Sequence, residues 1–222
     1  FVLIGGTALA LRIGHRISED LDLAYLGPSL PKPRIKALIR KLEAKGFRLQ
    51  PNQNIAAEQD FIDAGLALED SQQDYLAEGA LGQVKLSFVR LENAMTAVFS
   101  GDAQSPLRIA TLDEIFASKT LVSAERSKTR DWFDLYVLLT QHGYSMLDFH
   151  RVFMQNHNPN GFDIASARLR RCTPSIADEG YLQLASTAPS LDELRTFFSA
   201  QLDALEIEVS RKAFKRKSEA PK

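Results

Sequence analysis

Two aspartates, Asp20 and Asp22, are the residues of this sequence whose type and spacing point most directly to chemistry. On a β-strand, the two carboxylates would point to the same face, about 7 Å apart. Two bare carboxylates repel, and one of them tends to keep a proton, whereas a divalent cation removes the conflict. We expect Mg²⁺ (or Mn²⁺), because it binds a few carboxylates and completes its shell with water and substrate phosphates. A solvated strand face or a turn gives the same pattern.

A glycine pair precedes the aspartates and is suited to phosphate. Gly5 and Gly6 follow a short apolar run, and Thr7 comes directly after them. Glycines let the backbone turn tightly and approach a ligand, and the first N–H groups of a following helix form a positive end that suits phosphate. The Thr7 hydroxyl would add a hydrogen bond. Glycine turns between strands and helices are also common for purely structural reasons, so the motif gains its meaning from the aspartates that follow.

The surrounding pattern predicts the elements that position these residues. Residues 1–4 form an apolar strand, residues 7–13 form a helix that Gly14 ends, and residues 20–25 alternate as a second strand. Asp20 and Asp22 share one face of that second strand. This order of elements favours a metal at the aspartates, which would neutralise a triphosphate and stabilise the charge that moves onto pyrophosphate.

The rest of the chain divides into a mixed part and a helical part. We predict a helix at 33–45, a hairpin of strands at 74–78 and 83–91, and helices at 112–124, 130–142 and 191–214. Capping boxes at Thr111 with Glu114 and at Ser190 with Glu193 begin two of these helices. The composition changes near residue 110. We therefore predict an α/β (α+β) domain at 1–110, followed by a helical domain at 111–222.

The composition bounds the class of protein. The chain has 222 residues, 45% of them apolar, a formal net charge of −1 and one cysteine, Cys172. No apolar run approaches the length of about 18 residues that a membrane span needs, and a single cysteine forms neither an internal disulfide nor a cysteine-built zinc site. We expect a cytoplasmic location and no membrane partner. The chain begins at Phe1 inside an apolar run, and we expect that it lacks its natural start.

Residues 5–23, GGTALALRIGHRISEDLDL, closely resemble the signature of the AbiEii/AbiGii abortive-infection toxins, nucleotidyltransferases of the DNA polymerase β-like superfamily. A second match covers residues 119–139 and ends in RDWFDLYVLL. The resemblance implies a nucleotidyltransferase-like mixed sheet, with Asp20 and Asp22 as metal ligands, followed by helices that close over the nucleotide. Members look like the toxin half of a bacterial toxin–antitoxin or phage-defence pair, and some modify tRNA. A cognate antitoxin is thereby implied as a partner.

The second motif supplies further candidate residues. By resemblance, Lys119 would contact the triphosphate and Asp131 would be an active-site acid. Arg16, which matches the family's first run, is close enough to the glycine turn to touch a phosphate. On the residues alone, Asp131 and Asp134 stand at a helix start, where acids complement the helix dipole. A capping role therefore stays open for both, and we take Asp134 as structural.

One position departs from the superfamily pattern. A third carboxylate usually comes from a neighbouring strand, and the segment QVKLSFVRL has Lys85 and Ser87 where that acid is expected. Three explanations stay open: Asp20 and Asp22 hold a single metal, Asp131 supplies the missing charge, or catalysis is impaired. Lys85 could instead meet a phosphate, although isolated strand lysines commonly face solvent.

The expected activity is transfer of a nucleotidyl group from an NTP to an acceptor, a tRNA end or a protein hydroxyl. Gly5, Gly6, Thr7 and Arg16 would hold the phosphates, and Lys119 would steady the leaving pyrophosphate. Asp131 would orient the acceptor hydroxyl or take its proton. The nucleotide is expected in the cleft between the two domains. Two alternatives stay open: a nucleotide-binding regulator that has lost turnover, and a kinase-like phosphoryl transferase that attacks at the γ-phosphate.

Overall fold

The structure, a computed structural model, describes residues 1–52, 55–99, 107–175, 181 and 188–219, with the backbone alone at 55–57, 93–94, 213 and 215–219. The chain divides into two compact units, Phe1–Ile115 and Phe116–Lys222. The division falls inside a helix, whereas the sequence analysis placed the domain boundary near residue 110. No helix formed by the described residues is both long enough and apolar enough to span a membrane.

The first unit is built on a mixed sheet. Its described strands are β1 (Val2–Ile4), β2 (Asp20–Tyr25), β3 (Arg48–Pro51), β4 (Gln72–Gly79), β5 (Gly82–Arg90) and β6 (Arg108–Ile109). The order across the sheet is β3-β4-β5-β2-β1-β6. Among the described residues, two strand pairs are parallel, β2 with β5 and β1 with β6, and the other neighbouring pairs are antiparallel.

The apolar face of this sheet fixes the direction in which the aspartates point. Leu23 of β2 lies in register with Phe88 of β5, and both side chains are buried. Phe88 also packs edge-on against Phe1, with ring centroids 5.5 Å apart. Because side chains alternate along a strand, a slip of one residue would expose this apolar row. Its burial therefore places Asp20 and Asp22 on the opposite face.

The helices of the first unit are α1 (Gly5–Ile13), α2 (Lys32–Glu43), α3 (Ile55–Asp63) and α4 (Asn93–Val98). Helix α1 ends at Gly14 as predicted, with that glycine in the left-handed region at φ 64°. Its predicted start at Thr7 was wrong, because Gly5 makes the turn from strand to helix within one residue at φ 72°. The sequence assigned no element to the stretch from Gln50 to Ser71, and α3 lies within it.

The remaining helices are α5 (Leu112–Val122), α6 (Thr129–Gln141), α7 (Met146–Gln155), α8 (Pro159–Arg171) and α9 (Leu191–Glu219). Both predicted capping boxes are present: Thr111 with Glu114 begins α5, and Ser190 with Glu193 begins α9. Each of the four helices from α6 to α9 buries apolar side chains. The largest fully buried ones among them are Trp132, Leu135, Leu138, Phe149, Phe153, Leu169 and Phe198.

Candidate active site

The two predicted metal ligands lie side by side on β2. Asp20 and Asp22 occupy alternate positions of the strand and are both partly exposed. Asp22 lies in register with Ile4 of β1 on one side and with Ser87 of β5 on the other. Side chains at alternate positions of a strand share a face. The strand therefore presents both carboxylates to the same side of the sheet.

Gly5 allows the Asp22 carboxylate to approach the start of α1. A Cβ atom at Gly5 would lie 2.7 Å from Asp22 Oδ2, closer than real side chains come. The residue that precedes the helix, Ile4, has no polar side chain to cap the first N–H groups. The backbone N–H groups at a helix start favour a negatively charged group. The glycine thus brings the start of α1 and the Asp22 carboxylate together.

Gly6 makes room for the positively charged side chain of Arg16 in the same way. A Cβ atom at Gly6 would clash with Arg16 Nη2 and would lie 3.1 Å from Ser18 Oγ. Arg16 is 9% exposed, and its Nη1 donates a hydrogen bond of 3.0 Å to the Ile17 carbonyl. The guanidinium group therefore packs against the glycine turn, where the sequence analysis expected it. Ser18 was not among the predicted residues, although it lies within the matching run.

Thr7 ties the helix to the acidic strand. Its Oγ1 lies 2.9 Å from Ser18 Oγ and also donates a hydrogen bond to the backbone carbonyl of Asp20. These contacts fix α1 against β2 beside the two aspartates. The predicted contact of Thr7 with phosphate stays a prediction, and the structure adds a positioning contact that sequence reasoning missed.

Strand β5 carries no acid beside the aspartates within its described length, as the sequence analysis expected. Lys85 lies in register with Asp20, and Ser87 lies in register with Asp22. On the next strand, Asp74 of β4 is in register with Ser87. Asp74 was not predicted as a functional residue, because its position relative to Asp22 depends on how three strands pair.

In the second unit, Lys119 lies within a buried cluster of charges. Its Nζ atom is 2.6 Å from Asp131 Oδ1 and 2.6 Å from Asp134 Oδ2, and all three side chains are at most 7% exposed. Arg126, which is about half exposed, donates from Nε to Asp131 Oδ2 at 2.7 Å. The structure therefore brings the predicted pair Lys119 and Asp131 into direct contact.

The charges in this cluster stabilise one another. Burial alone would raise the pKa of Asp131, but the charge of Lys119 and the hydrogen bond from Arg126 outweigh it and lower the pKa to about 2. Burial alone would lower the pKa of Lys119, yet the two carboxylates raise it above its ordinary value. Asp134 is fully buried against Lys119 and does not cap α6, which begins after Lys128. Lys119 and Asp131 are therefore both charged at neutral pH.

Comparison with known proteins first defines the class of the fold. The crystal structure of an H. pylori protein, provisionally described as a nucleotidyltransferase, matches this chain with a TM-score of 0.53. The match covers 95% of this chain and 88% of that chain at 19% identity. The predicted nucleotidyltransferase-like fold, a mixed sheet with helices, is confirmed.

The sequence then identifies the family. The family described as the nucleotidyl transferase AbiEii toxin of a Type IV TA system matches residues 1–219. The chain belongs to this family of toxin–antitoxin nucleotidyltransferases, and the resemblance stated from the motifs is confirmed. The uncharacterised protein aq_aa25 of Aquifex aeolicus (strain VF5) is 24% identical over 166 residues, which cover 74% of this chain and 69% of that protein.

Proposed function

We propose that this chain transfers the nucleotidyl group of an NTP to an acceptor hydroxyl with the help of a divalent cation, Mg²⁺ or Mn²⁺. The observation that carries the proposal is the close approach of the Asp22 carboxylate to Gly5, the first residue of α1. Asp20 stands on the same face of β2. A helix start beside two carboxylates suits a phosphate that arrives with a cation.

The residues present fit such a cation. Among the described residues, no group of three or more His, Cys, Asp or Glu side chains forms a metal site. Asp20 and Asp22 nevertheless suffice for Mg²⁺, which is commonly held by one or two carboxylates together with substrate phosphates and water. When bound, the cation would neutralise the phosphates and stabilise charge on the leaving group.

The remaining groups near the aspartates would bind and orient the nucleotide. We assign phosphate binding to the backbone of Gly5 and Gly6 and to the Arg16 guanidinium, with Thr7 holding α1 in place. The acceptor oxygen attacks the α-phosphorus and forms a new P–O bond. The bond from the α-phosphorus to the oxygen that bridges to the β-phosphate breaks, pyrophosphate leaves, and the hydroxyl proton passes to solvent.

Lys119 and Asp131 enter the proposal through the family resemblance. We assign Lys119 to the leaving pyrophosphate. Asp131 is a weak proton acceptor because its pKa is lowered to about 2. We therefore assign it the role of a positioning residue that orients Lys119 and Arg126, rather than that of a general base.

The acceptor and the partner follow from the family. We propose a hydroxyl group on tRNA or on a protein as the acceptor, and a cognate antitoxin as the partner that neutralises the chain. Expression of this chain alone should then arrest growth, whereas expression of its Asp22→Ala variant should not.

Labelled nucleotides test the reaction. The chain is incubated with each NTP, labelled at the α- or the γ-phosphate, with Mg²⁺ and total tRNA. Only the α label should remain on the acceptor, and Asp20→Asn should lower its transfer by at least a hundredfold. Asp60→Asn, which changes an exposed acid on α3, is the matched control and should transfer normally.

The same assay separates the competing functions. Transfer of the γ label would establish a phosphoryl transferase instead. Nucleotide binding without transfer to tRNA or to any protein acceptor would establish a regulator, which the serine at position 87 favours. Equal transfer by wild type and Asp20→Asn would remove the aspartates from the mechanism.

A further inference from the structure

Lys85 and Asp74 form an ion pair beside the two aspartates of β2. Lys85 Nζ lies 3.2 Å from Asp74 Oδ2. The Asp74 side chain is 8% exposed, whereas that of Lys85 is 35% exposed. The acid is therefore buried, and the lysine extends from it toward the surface.

Strand pairing places this ammonium group on the face of the candidate active site. Lys85 pairs with Asp20 across β5 and β2, and Ser87 pairs with both Asp22 and Asp74. Side chains of directly paired residues point to the same face, and neighbouring strands lie about 4.8 Å apart. Asp20, Asp22, Lys85 and Asp74 consequently share one face over three adjacent strands.

Asp74 is suited to hold Lys85 in a fixed place. Its Oδ2 accepts a hydrogen bond of 3.0 Å from Gln72 Nε2 in addition to the contact with Lys85. Its Oδ1 is buried and has no hydrogen-bond partner among the described residues. A buried carboxylate with an unsatisfied oxygen is costly, so its charged partner stabilises it strongly. Lys85 is thus not a freely moving surface lysine.

The charges on this face require further positive charge. Asp20, Asp22 and the phosphates of a nucleotide are all negative, and a single divalent cation offsets only part of that charge. The Asp74 carboxylate adds a third negative charge to this face, which Lys85 balances. A second divalent cation would need ligands, and the residue beside Asp22 on β5 is Ser87 rather than an acid. The ammonium group of Lys85 lies at the neighbouring residue pair on this face, beside Asp20.

We propose that Lys85, anchored by Asp74, contacts the phosphates of the bound triphosphate on a face where Ser87 leaves no acid beside Asp22 to hold a second divalent cation. This inference rests on the proposed function of the same site. Lys85 is then a nucleotide-binding residue, and Asp74 is its positioning residue. The site holds one divalent cation for each bound nucleotide.

Equilibrium binding tests the role of Lys85 without turnover. The four α,β-methylene ribonucleoside triphosphates and the four monophosphates are titrated separately in Mn²⁺. Lys85→Met should weaken triphosphate binding at least tenfold and monophosphate binding less than threefold. Lys32→Met is the matched control, because Lys32 is 32% exposed and also pairs with an aspartate, Asp70, at 2.7 Å. This control should bind as wild type does.

A double-mutant cycle tests the anchoring role of Asp74. Asp74→Asn alone should weaken triphosphate binding, and it should have no further effect when added to Lys85→Met. The double variant leaves no buried charge unpaired, so it keeps the test valid if Lys85→Met folds poorly. Additive effects of the two substitutions would overturn the anchoring. Electron paramagnetic resonance should count one Mn²⁺ for each bound triphosphate, and a count of two would overturn the proposal.

Failure of this inference is distinguishable from failure of the proposed function. If Lys85→Met binds triphosphates as wild type does while Asp20→Asn does not, the lysine has no such role and the proposed function stands. If wild type binds none of the triphosphates, the proposed function and this inference both fall.

Discussion

Gly5 and Gly14 stand at the two ends of α1, and both have positive φ, 72° and 64°. They differ in what surrounds them. A Cβ atom at Gly5 would meet the Asp22 carboxylate, whereas one at Gly14 would have nothing within 4 Å. The two glycines therefore separate the cost of the backbone conformation from the cost of crowding the acid.

We expect Gly5→Ala to destabilise the protein and to impair nucleotide binding. The positive φ should cost about 1 kcal/mol at either glycine, and at Gly5 the contact with Asp22 adds to it. Gly14→Ala should lose only the stability that the positive φ costs, and it should bind nucleotide normally. Urea denaturation and nucleotide titration of both variants measure these effects. If both variants lost the same stability, the Asp22 carboxylate would have moved aside from the new Cβ atom at no cost.

Single residues of the site were predictable to different degrees. Asp20 and Asp22 were found because alternation along one strand is a local property. The position of Asp74 on the same face as Asp22 was not visible, because it depends on the register of β4 with β5 and of β5 with β2. The burial of Asp134 against Lys119 likewise depends on how two helices pack.

Helix α9 shows how packing changes along one element. Leu194, Phe198, Leu202 and Leu205 are buried at helical spacing, whereas Phe214 is 76% exposed. This difference between two phenylalanines on one helix predicts opposite outcomes for the same substitution.

Phe198→Ala should lower the free energy of unfolding by roughly 3–5 kcal/mol, because it leaves a cavity in the core. Phe214→Ala on the same helix should change it by less than about 0.5 kcal/mol. Denaturant unfolding followed by circular dichroism measures both. A large loss at Phe214 would show that the end of α9 is covered in solution.

Elements with strong local signals were predicted, and others were overlooked. The capping boxes of α5 and α9 were identified from Thr111 with Glu114 and from Ser190 with Glu193. Helix α7 has a capping box too, formed by Ser145 with Asp148, but the acid is aspartate rather than the usual glutamate. Helix α8 begins at Pro159 after the capping residue Asn158, a signal that was present in the sequence and was not used.

The charge state of the whole molecule predicts how its stability depends on pH. The folded pKa of Asp131 is about 2, below its ordinary value of 3.8, because Lys119 and Arg126 outweigh the effect of burial. A carboxyl group with a lowered pKa stabilises the fold above its unfolded pKa and loses this contribution as pH falls toward its folded pKa. Hydrogen bonds with Ser145 and Ser190 lower the pKa of Asp148 and the pKa of Glu193 as well.

We therefore expect the free energy of unfolding to fall as the pH is lowered from about 4 to about 2, with Asp131 contributing about 2 kcal/mol of the loss. Asp131→Asn should be less stable at neutral pH and should show a flatter dependence in that window. Asp148→Asn, which changes a more exposed acid, should alter the dependence much less. Thermal melts across this range measure all three proteins, and parallel curves for wild type and Asp131→Asn would contradict the assignment.

At the scale of the whole fold, the sequence predicted the class but not the full path of the chain. The strand, helix and strand at residues 1–25 and the β4–β5 hairpin came from local alternation and glycine turns. The pairing order β3-β4-β5-β2-β1-β6 arises from contacts between distant segments, which local patterns do not encode. The short strand β6 was missed for the same reason.

The order of the strands also has a consequence for how the protein is made. Strands β1 and β2 lie inside the sheet, and their outer neighbours β6 and β5 are translated much later than they are. Pairings between segments so far apart in the chain form late. The sheet that carries Asp20 and Asp22 is therefore complete only once translation has passed Ile109, so shorter nascent chains lack its strand β6.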